Sequence, residues 1–332
     1  MDKPFLADLR AFRGEPPLLN PSGFCYTDRM DTPLFTCDLS EMELLSYRVV
    51  GRGPRALVLL HGLASRSQCW TDLVPLFSPE SYTLYLVDLL GSGESAKPKD
   101  ADYSIRGHAR RLLDFLERLG LTQAMVVGHS LGGAVVLLAT LLAKEQGRQH
   151  LLRKVVILAG PGYLQGLPLI ARVFRYPLVG PLFINLYAPR AWVKVGLKAA
   201  YYDQRLVNRE HIERYAPCYQ DRDARRALVA TCQQLVPPDV ARIPERYRDI
   251  ETSMLLLWGR HDLIVPLSQG ERLVQDVPGA RLVVLEECGH NPQEEKARET
   301  YLIIERFLRE GADEVLQESA GAELPPAGEL PE

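Results

Sequence analysis

Met125-Val126-Val127-Gly128-His129-Ser130-Leu131-Gly132-Gly133-Ala134 sets one serine among glycines, with β-branched residues before it and alanine and leucine after. A strand that turns into a helix within one residue lifts the side chain at the joint clear of both elements. That residue takes a strained backbone conformation, and neighbours two positions away must lack bulk so that strand and helix can approach. Gly128 and Gly132 meet this need, and Gly133 adds room. The reading places Ser130 Oγ above a sheet edge, at the foot of a helix whose free N–H groups point toward it. The pattern G-x-S-x-G arises by chance in about one chain in ten of this length, so the flanking strand and helix carry much of the weight.

A serine hydroxyl attacks poorly unless a base takes its proton and an acid orients that base. Asp262 follows a strand-like run in "LLLWGRHDLIVP" (255–266), and His290 follows another in "LVVLEECGHNP" (282–292). Residues just past a strand project into the crevice at the carboxyl edge of a sheet. The chain order Ser130, Asp262, His290 is the one expected for this architecture. Earlier, "LVLLHGLASRSQCW" (57–70) ends a strand on the tight turn His61-Gly62. The N–H of Leu63, with that of Leu131, then makes a two-donor oxyanion hole. A one-residue slip to Ala64 stays open.

Outward from these motifs, short apolar runs alternate with helical patterns, the signature of a βαβ sheet. The runs are 56–60, 83–87, 125–127, 155–158, 254–258 and 282–285, and most are apolar throughout, as parallel strands covered on both faces are. Segments 34–37 and 44–50 read as an antiparallel edge. Ile105, Ala109, Leu112, Leu116 and Leu119 follow helical spacing, with Ser104 as N-cap and Gly120 at the end. Ala134, Val135, Leu138, Ala139 and Leu142 do the same. Pro292 opens a helix carrying Ala297, Tyr301, Ile304 and Leu308 on one face, with Gly311 as its stop. The rhythm breaks once: between about 162 and 250 no strand is visible, so this stretch reads as an inserted helical cap. The organisation is thus an N-terminal extension (1–30), a core (31–161 and 251–310), the cap (162–250) and an acidic tail (311–332) that reads as disordered.

Composition sets the outer bounds. The 332 residues carry a net charge of −3, and without the six acids of the tail the rest is +3, which leaves no field for nucleic acid. Cysteines 25, 37, 69, 218, 232 and 288 are scattered without metal-like spacing, which fits free thiols in a reducing compartment. The opening "MDKPFLADLRAFRGEPP" has no apolar signal core, so the expected location is cytoplasmic. Residues 124–143 carry no charge over twenty positions, yet Gly-His-Ser-x-Gly-Gly in the first half argues against a spanning helix.

Together His61-Gly62, "VDLLGSGES" (87–95), "GHSLGG" (128–133), "GRHD" (259–262) and "GHNP" (289–292) resemble the α/β-hydrolase fold superfamily over roughly residues 40–310. The resemblance implies an α/β fold: a mostly parallel eight-stranded sheet, helices on both faces and an inserted cap. The single cap is similar to that of carboxylesterases, carbon–carbon bond hydrolases, epoxide hydrolases, haloalkane dehalogenases and cofactor-free haloperoxidases. Epoxide hydrolases and dehalogenases use an aspartate nucleophile, and a serine at 130 argues against both. "HGLA" in place of an HGGG motif disfavours bulky tertiary-alcohol esters.

The expected activity is a metal- and cofactor-free serine hydrolase acting on a small or medium apolar carboxylic ester. Carbon–carbon bond hydrolysis of a vinylogous diketone acid, thioester hydrolysis, acyl transfer and perhydrolysis stay compatible, as does a non-enzymatic ligand receptor on the same fold. His61 is expected to brace its turn, Asp88 the "LGSGES" turn, and His129 and His261 to shape the site, while Cys288 packs in the core. His108, His150 and His211 have no assigned role. From 162 to 202 the cap carries Arg172, Arg175, Arg190, Lys194 and Lys198 but no acid. Its readings are a sealing amphipathic face, an apolar slot with a cationic rim, or contact with an anionic lipid surface.

Overall fold

The computed structural model describes residues 32–309 except 167–168 and 177–178, so the expected N-terminal extension, the acidic tail and Gly311 lie outside the described residues. Apolar runs become strands because their side chains are covered. The middle strand β5 (Ala124–His129) is buried at every position, whereas the edge strand β1 (Leu34–Asp38) is mostly exposed. The others are β2 (Leu44–Gly51), β3 (Arg55–Leu60), β4 (Tyr82–Val87), β6 (Leu152–Leu158), β7 (Ser253–Gly259) and β8 (Arg281–Leu285). They form one sheet in the order β1-β2-β4-β3-β5-β6-β7-β8. The pairings β1–β2 and β2–β4 are antiparallel and the other five parallel, the edge expected from the sequence.

Helix α1 (Ile105–Arg118) starts as expected: Ser104 Oγ accepts the Gly107 N–H at 3.0 Å, and Gly120 closes the turn at φ +64°. Helix α2 (Leu131–Glu145) differs from its expected single apolar face. Every residue from Leu131 to Ala143 is buried, because the helix lies against β5, β6 and α1, and a helix covered all round is apolar all round. The uncharged stretch 124–143 is therefore a strand and a helix. Among the described residues no helix is long and apolar enough to cross a membrane.

Between β6 and β7 the described chain is helical, without a strand: α3 (Leu169–Arg175), α4 (Val179–Leu186), α5 (Pro189–Ala200), α6 (Arg209–Tyr215) and α7 (Arg222–Gln234), joined by short 3-10 turns. Helix α8 (Ser268–Asp276) links β7 to β8. The single helix expected from Pro292 is two, α9 (Pro292–Glu295) and α10 (Ala297–Arg309). Lys296 breaks it at φ −135°, directly after Glu294 and Glu295, whose carboxylates turn inward to bond other segments.

The glycines around Ser130 are placed by close backbone approach. A Cβ at Gly128 would come within 3.0 Å of the Gly132 carbonyl, and one at Gly132 within 3.0 Å of the carbonyls of Leu60 and His61. Backbone cannot yield as a side chain can. Gly128→Ala is expected to lower the unfolding free energy by about 3 kcal/mol or to prevent folding, whereas Gly166→Ala, whose Cβ meets nothing within 4 Å, changes it by less than about 0.5 kcal/mol. Urea titration of both variants checks the contrast.

Candidate active site

Ser130 sits between β5 and α2 at φ 52° and ψ −116°, a conformation that non-glycine residues rarely hold. Its N–H donates to Leu158 O at 2.8 Å, and its carbonyl accepts the first helical bond, from Ala134 N–H at 3.0 Å. The N–H groups of Leu131, Gly132 and Gly133 therefore have no acceptor within the helix, and they concentrate positive potential beside Oγ.

His290 lies on the turn after β8. Its Nε2 is 2.9 Å from Ser130 Oγ and its Nδ1 2.8 Å from Asp262 Oδ2. The remaining Asp262 oxygen accepts the N–H groups of Ile264 (2.8 Å) and Val265 (2.9 Å). A carboxylate so held accepts from Nδ1–H, which leaves Nε2 free to take the serine proton. The loops after β7 and β8 are tied together where His261 N–H donates to Cys288 O at 2.9 Å, and Gly259 leaves room for the Cys288 and Gly289 carbonyls. All three side chains named from the sequence thus converge.

His129 holds the histidine from the strand side: its Nε2–H donates to the His290 carbonyl at 2.8 Å. Burial, reinforced by His290, pushes the His129 imidazole well below its ordinary range, so it is neutral. His61 braces its turn as expected. Nδ1–H donates to Gly62 O at 2.8 Å and Nε2 accepts Leu89 N–H at 3.0 Å. Asp88 accepts Ser67 N–H at 2.7 Å and Glu94 N–H at 2.9 Å, bracing both the "HGLA" loop and the "LGSGES" turn. Cys288 is fully buried, whereas His261 is exposed and stacks on Tyr202 with ring centroids 4.5 Å apart.

Above Ser130 opens a cavity of about 480 Å³, with Leu63 and Leu131 in its wall. Leu137 and Leu138 of α2, Trp192 and Leu197 of α5 and Ile243 of the segment before β7 line it. The hydroxyls of its tyrosines are engaged elsewhere: Tyr215 donates to Glu294 (2.8 Å), Tyr163 to Asp276 (2.7 Å) and Tyr247 to the Gly162 carbonyl. Among the described wall residues none is Lys, Arg, Asp or Glu. None of the bases between 162 and 202 is therefore among the described residues of this wall. Arg190 pairs instead with Glu213 at 2.6 Å, and Lys194 and Lys198 face solvent on α5.

A family model for the alpha/beta hydrolase fold matches residues 55–297. The chain belongs to this family. An uncharacterized hydrolase of Bacillus subtilis, YugF, is 31% identical over 263 residues, 79% of this chain and 92% of the relative. A 2-hydroxy-6-oxononadienedioate/2-hydroxy-6-oxononatrienedioate hydrolase of Burkholderia vietnamiensis is 29% identical over 278 residues, 79% of this chain and 90% of the relative. In shape the chain is similar to a meta-cleavage product hydrolase of Pseudomonas fluorescens, with a TM-score of 0.67 at 20% identity, covering 80% of this chain and 94% of that one.

Two acids of this α/β hydrolase escaped the sequence reading, since "QEE" after Pro292 looks like an ordinary acidic first turn. Glu295 accepts the N–H groups of Gly289 (3.0 Å) and Asn291 (3.2 Å) on one oxygen and of Tyr202 (2.7 Å) on the other. His290 N–H donates to Ala200 O at 2.6 Å, so the inserted segment and the histidine turn share one backbone network. Glu294 is fully buried and accepts the hydroxyls of Tyr201 and Tyr215, with Arg214 at 3.7 Å and Asp72 beyond it. Burial outweighs these donors and raises its carboxyl from 4.5 to about 7.

A raised carboxyl pKa means that the unfolded chain loses this proton first. Its contribution is whole below pH 4.5 and is lost as pH rises through about 7. At about 1.4 kcal/mol per pH unit the difference is of order 3 kcal/mol. Denaturant titrations at pH 5 and pH 8 are expected to show a smaller loss of stability for Glu294→Gln than for the wild type. Equal losses would contradict this account of Glu294.

Proposed function

We propose that this hydrolase cleaves uncharged, apolar carboxylic esters through an acyl-enzyme on Ser130. The observation that carries the reading is Ser130 Oγ, 2.9 Å from His290 Nε2, at the floor of a cavity without a charged side chain in its described wall. As Oγ attacks the ester carbonyl, His290 Nε2 takes its proton, and Asp262 steadies the imidazolium that forms. The oxyanion is received by the amides of Leu131 and Leu63, at the helix terminus and on the "HGLA" loop. Collapse of the intermediate expels the alcohol, which takes the proton from His290. Water then gives a proton to His290 and attacks the acyl carbonyl; the intermediate collapses to the acid and expels Ser130 Oγ, which takes the proton back from His290. In this reading residues 162–250 act as a cap that closes the acyl site from water.

A second reading has a specific observation behind it: a relative named as a 2-hydroxy-6-oxononadienedioate/2-hydroxy-6-oxononatrienedioate hydrolase. The same nucleophile and base would serve a vinylogous diketone acid. Such a substrate, however, brings carboxylate into the cavity, where desolvation without a cation is costly. The apolar wall supports the ester reading instead.

The experiment is a panel of p-nitrophenyl esters of increasing acyl length together with one 2-hydroxy-6-oxo-dienoate. The expected result is kcat/KM that rises from acetate to a medium chain and exceeds that for the dienoate by about 100-fold or more, roughly what one desolvated, unpaired charge costs. Ser130→Ala is expected to abolish ester turnover with an unchanged Tm. Faster turnover of the dienoate would install the carbon–carbon reading. Turnover of neither would favour a ligand receptor.

A further inference from the structure

Exposed apolar surface is unevenly shared on this molecule. Twelve large apolar residues are exposed among those described, and eight of them fall between Leu164 and Tyr202. Scattered exposed apolar residues are ordinary, but such a concentration on one segment marks a site of contact. On α4, Leu182 and Leu186 are 67% and 70% exposed, one helical turn apart, while Ile184 faces inward. On α5 the outward positions 190, 194, 195 and 198 carry Arg, Lys, Val and Lys, and Trp192, Val193 and Leu197 cover the interior. Across the cavity opening, Leu263 is 80% exposed. Leu164, Val195 and Leu263 are at once exposed and part of the cavity wall, so these three carry exposed apolar surface to the edge of the cavity that holds Ser130.

Charge selects the partner. Between 162 and 202 stand five bases and no acid, in a chain whose net charge is −3. Glu213 of α6 neutralises Arg190, while Arg172, Lys194 and Lys198 remain exposed beside the apolar residues. Apolar side chains interleaved with lysine and arginine suit the headgroup region of an anionic bilayer: the apolar groups enter the acyl boundary and the cations meet phosphate.

We propose that the outer face of α4 and α5, with the cavity mouth, docks on an anionic lipid bilayer. A lipophilic substrate then passes from the bilayer into the cavity without crossing water. Docking does not depend on the chemistry at Ser130; the access route rests on the ester reading.

The test is co-sedimentation of the full chain with vesicles of phosphatidylcholine alone or with 30% phosphatidylglycerol, a composition of roughly the anionic density of a cytoplasmic leaflet. Binding to the anionic vesicles is expected, weakening as salt rises. Lys194→Glu/Lys198→Glu should lower the bound fraction about tenfold, following the loss and reversal of two lipid-facing cations. Leu182→Ser/Leu186→Ser should lower binding to a similar degree. Met42→Ser, a control at an exposed apolar residue on the β1–β2 turn, should bind as wild type. All variants should keep the wild-type Tm and turnover of a soluble short ester. With a vesicle-embedded ester, only the α4 and α5 variants should slow. Absence of vesicle binding would overturn the proposal, as would equal binding by all variants. So would a dimer in sedimentation velocity that Leu182→Ser/Leu186→Ser dissolves, since a second copy would then be the occupant. If vesicles bind but no ester is turned over, docking stands and the ester reading fails.

Discussion

One strained residue organises this molecule. Ser130 holds φ 52° because β5 and α2 close on it from both sides, with Gly128 against the Gly132 carbonyl and Gly132 against the end of β3. Strain of this kind costs of order 1–3 kcal/mol and persists only where the surroundings over-determine it. Here those surroundings are the fully buried β5 and the thirteen buried residues that open α2. The reward is geometric: an oxygen raised above the sheet, facing a helix terminus whose first amides have no partner in the helix.

The histidine is held differently. Its N–H meets the Ala200 carbonyl, its carbonyl meets His129, and its turn hangs on Glu295, which also binds Tyr202. The side chain facing Ser130 thus takes its position partly from the end of α5. That helix also supplies Trp192 and Leu197 to the cavity. Movement of the insertion would therefore be felt in both substrate room and imidazole aim, through one set of backbone bonds.

Much of this was legible in the sequence, for a physical reason. Parallel strands buried on both faces leave unbroken apolar runs, and a sharp strand-to-helix joint demands glycines at fixed offsets, so the sheet, its antiparallel edge and Ser130, Asp262 and His290 could be named from local pattern. What escaped was non-local. That α2 is covered all round depends on its neighbours, not on its own period. The break at Lys296 follows from Glu294 and Glu295 turning inward to partners some 80 to 90 positions away. The bases of 162–202 left three readings open, a sealing amphipathic face, an apolar slot with a cationic rim and a lipid contact. On α5 Lys194 and Lys198 turn outward, while Trp192, Val193 and Leu197 line the cavity. Which face of such a helix looks inward is set by tertiary packing with its neighbours.

The central claim is that the Ser130–His290–Asp262 chain makes one hydroxyl nucleophilic. Intact-mass and peptide mapping after a fluorophosphonate probe test it most directly. The account predicts a single adduct, on Ser130, formed far more slowly in Asp262→Asn and absent in His290→Ala. An unlabelled Ser130 in folded wild-type protein, or labelling that continues undiminished without His290, would contradict it.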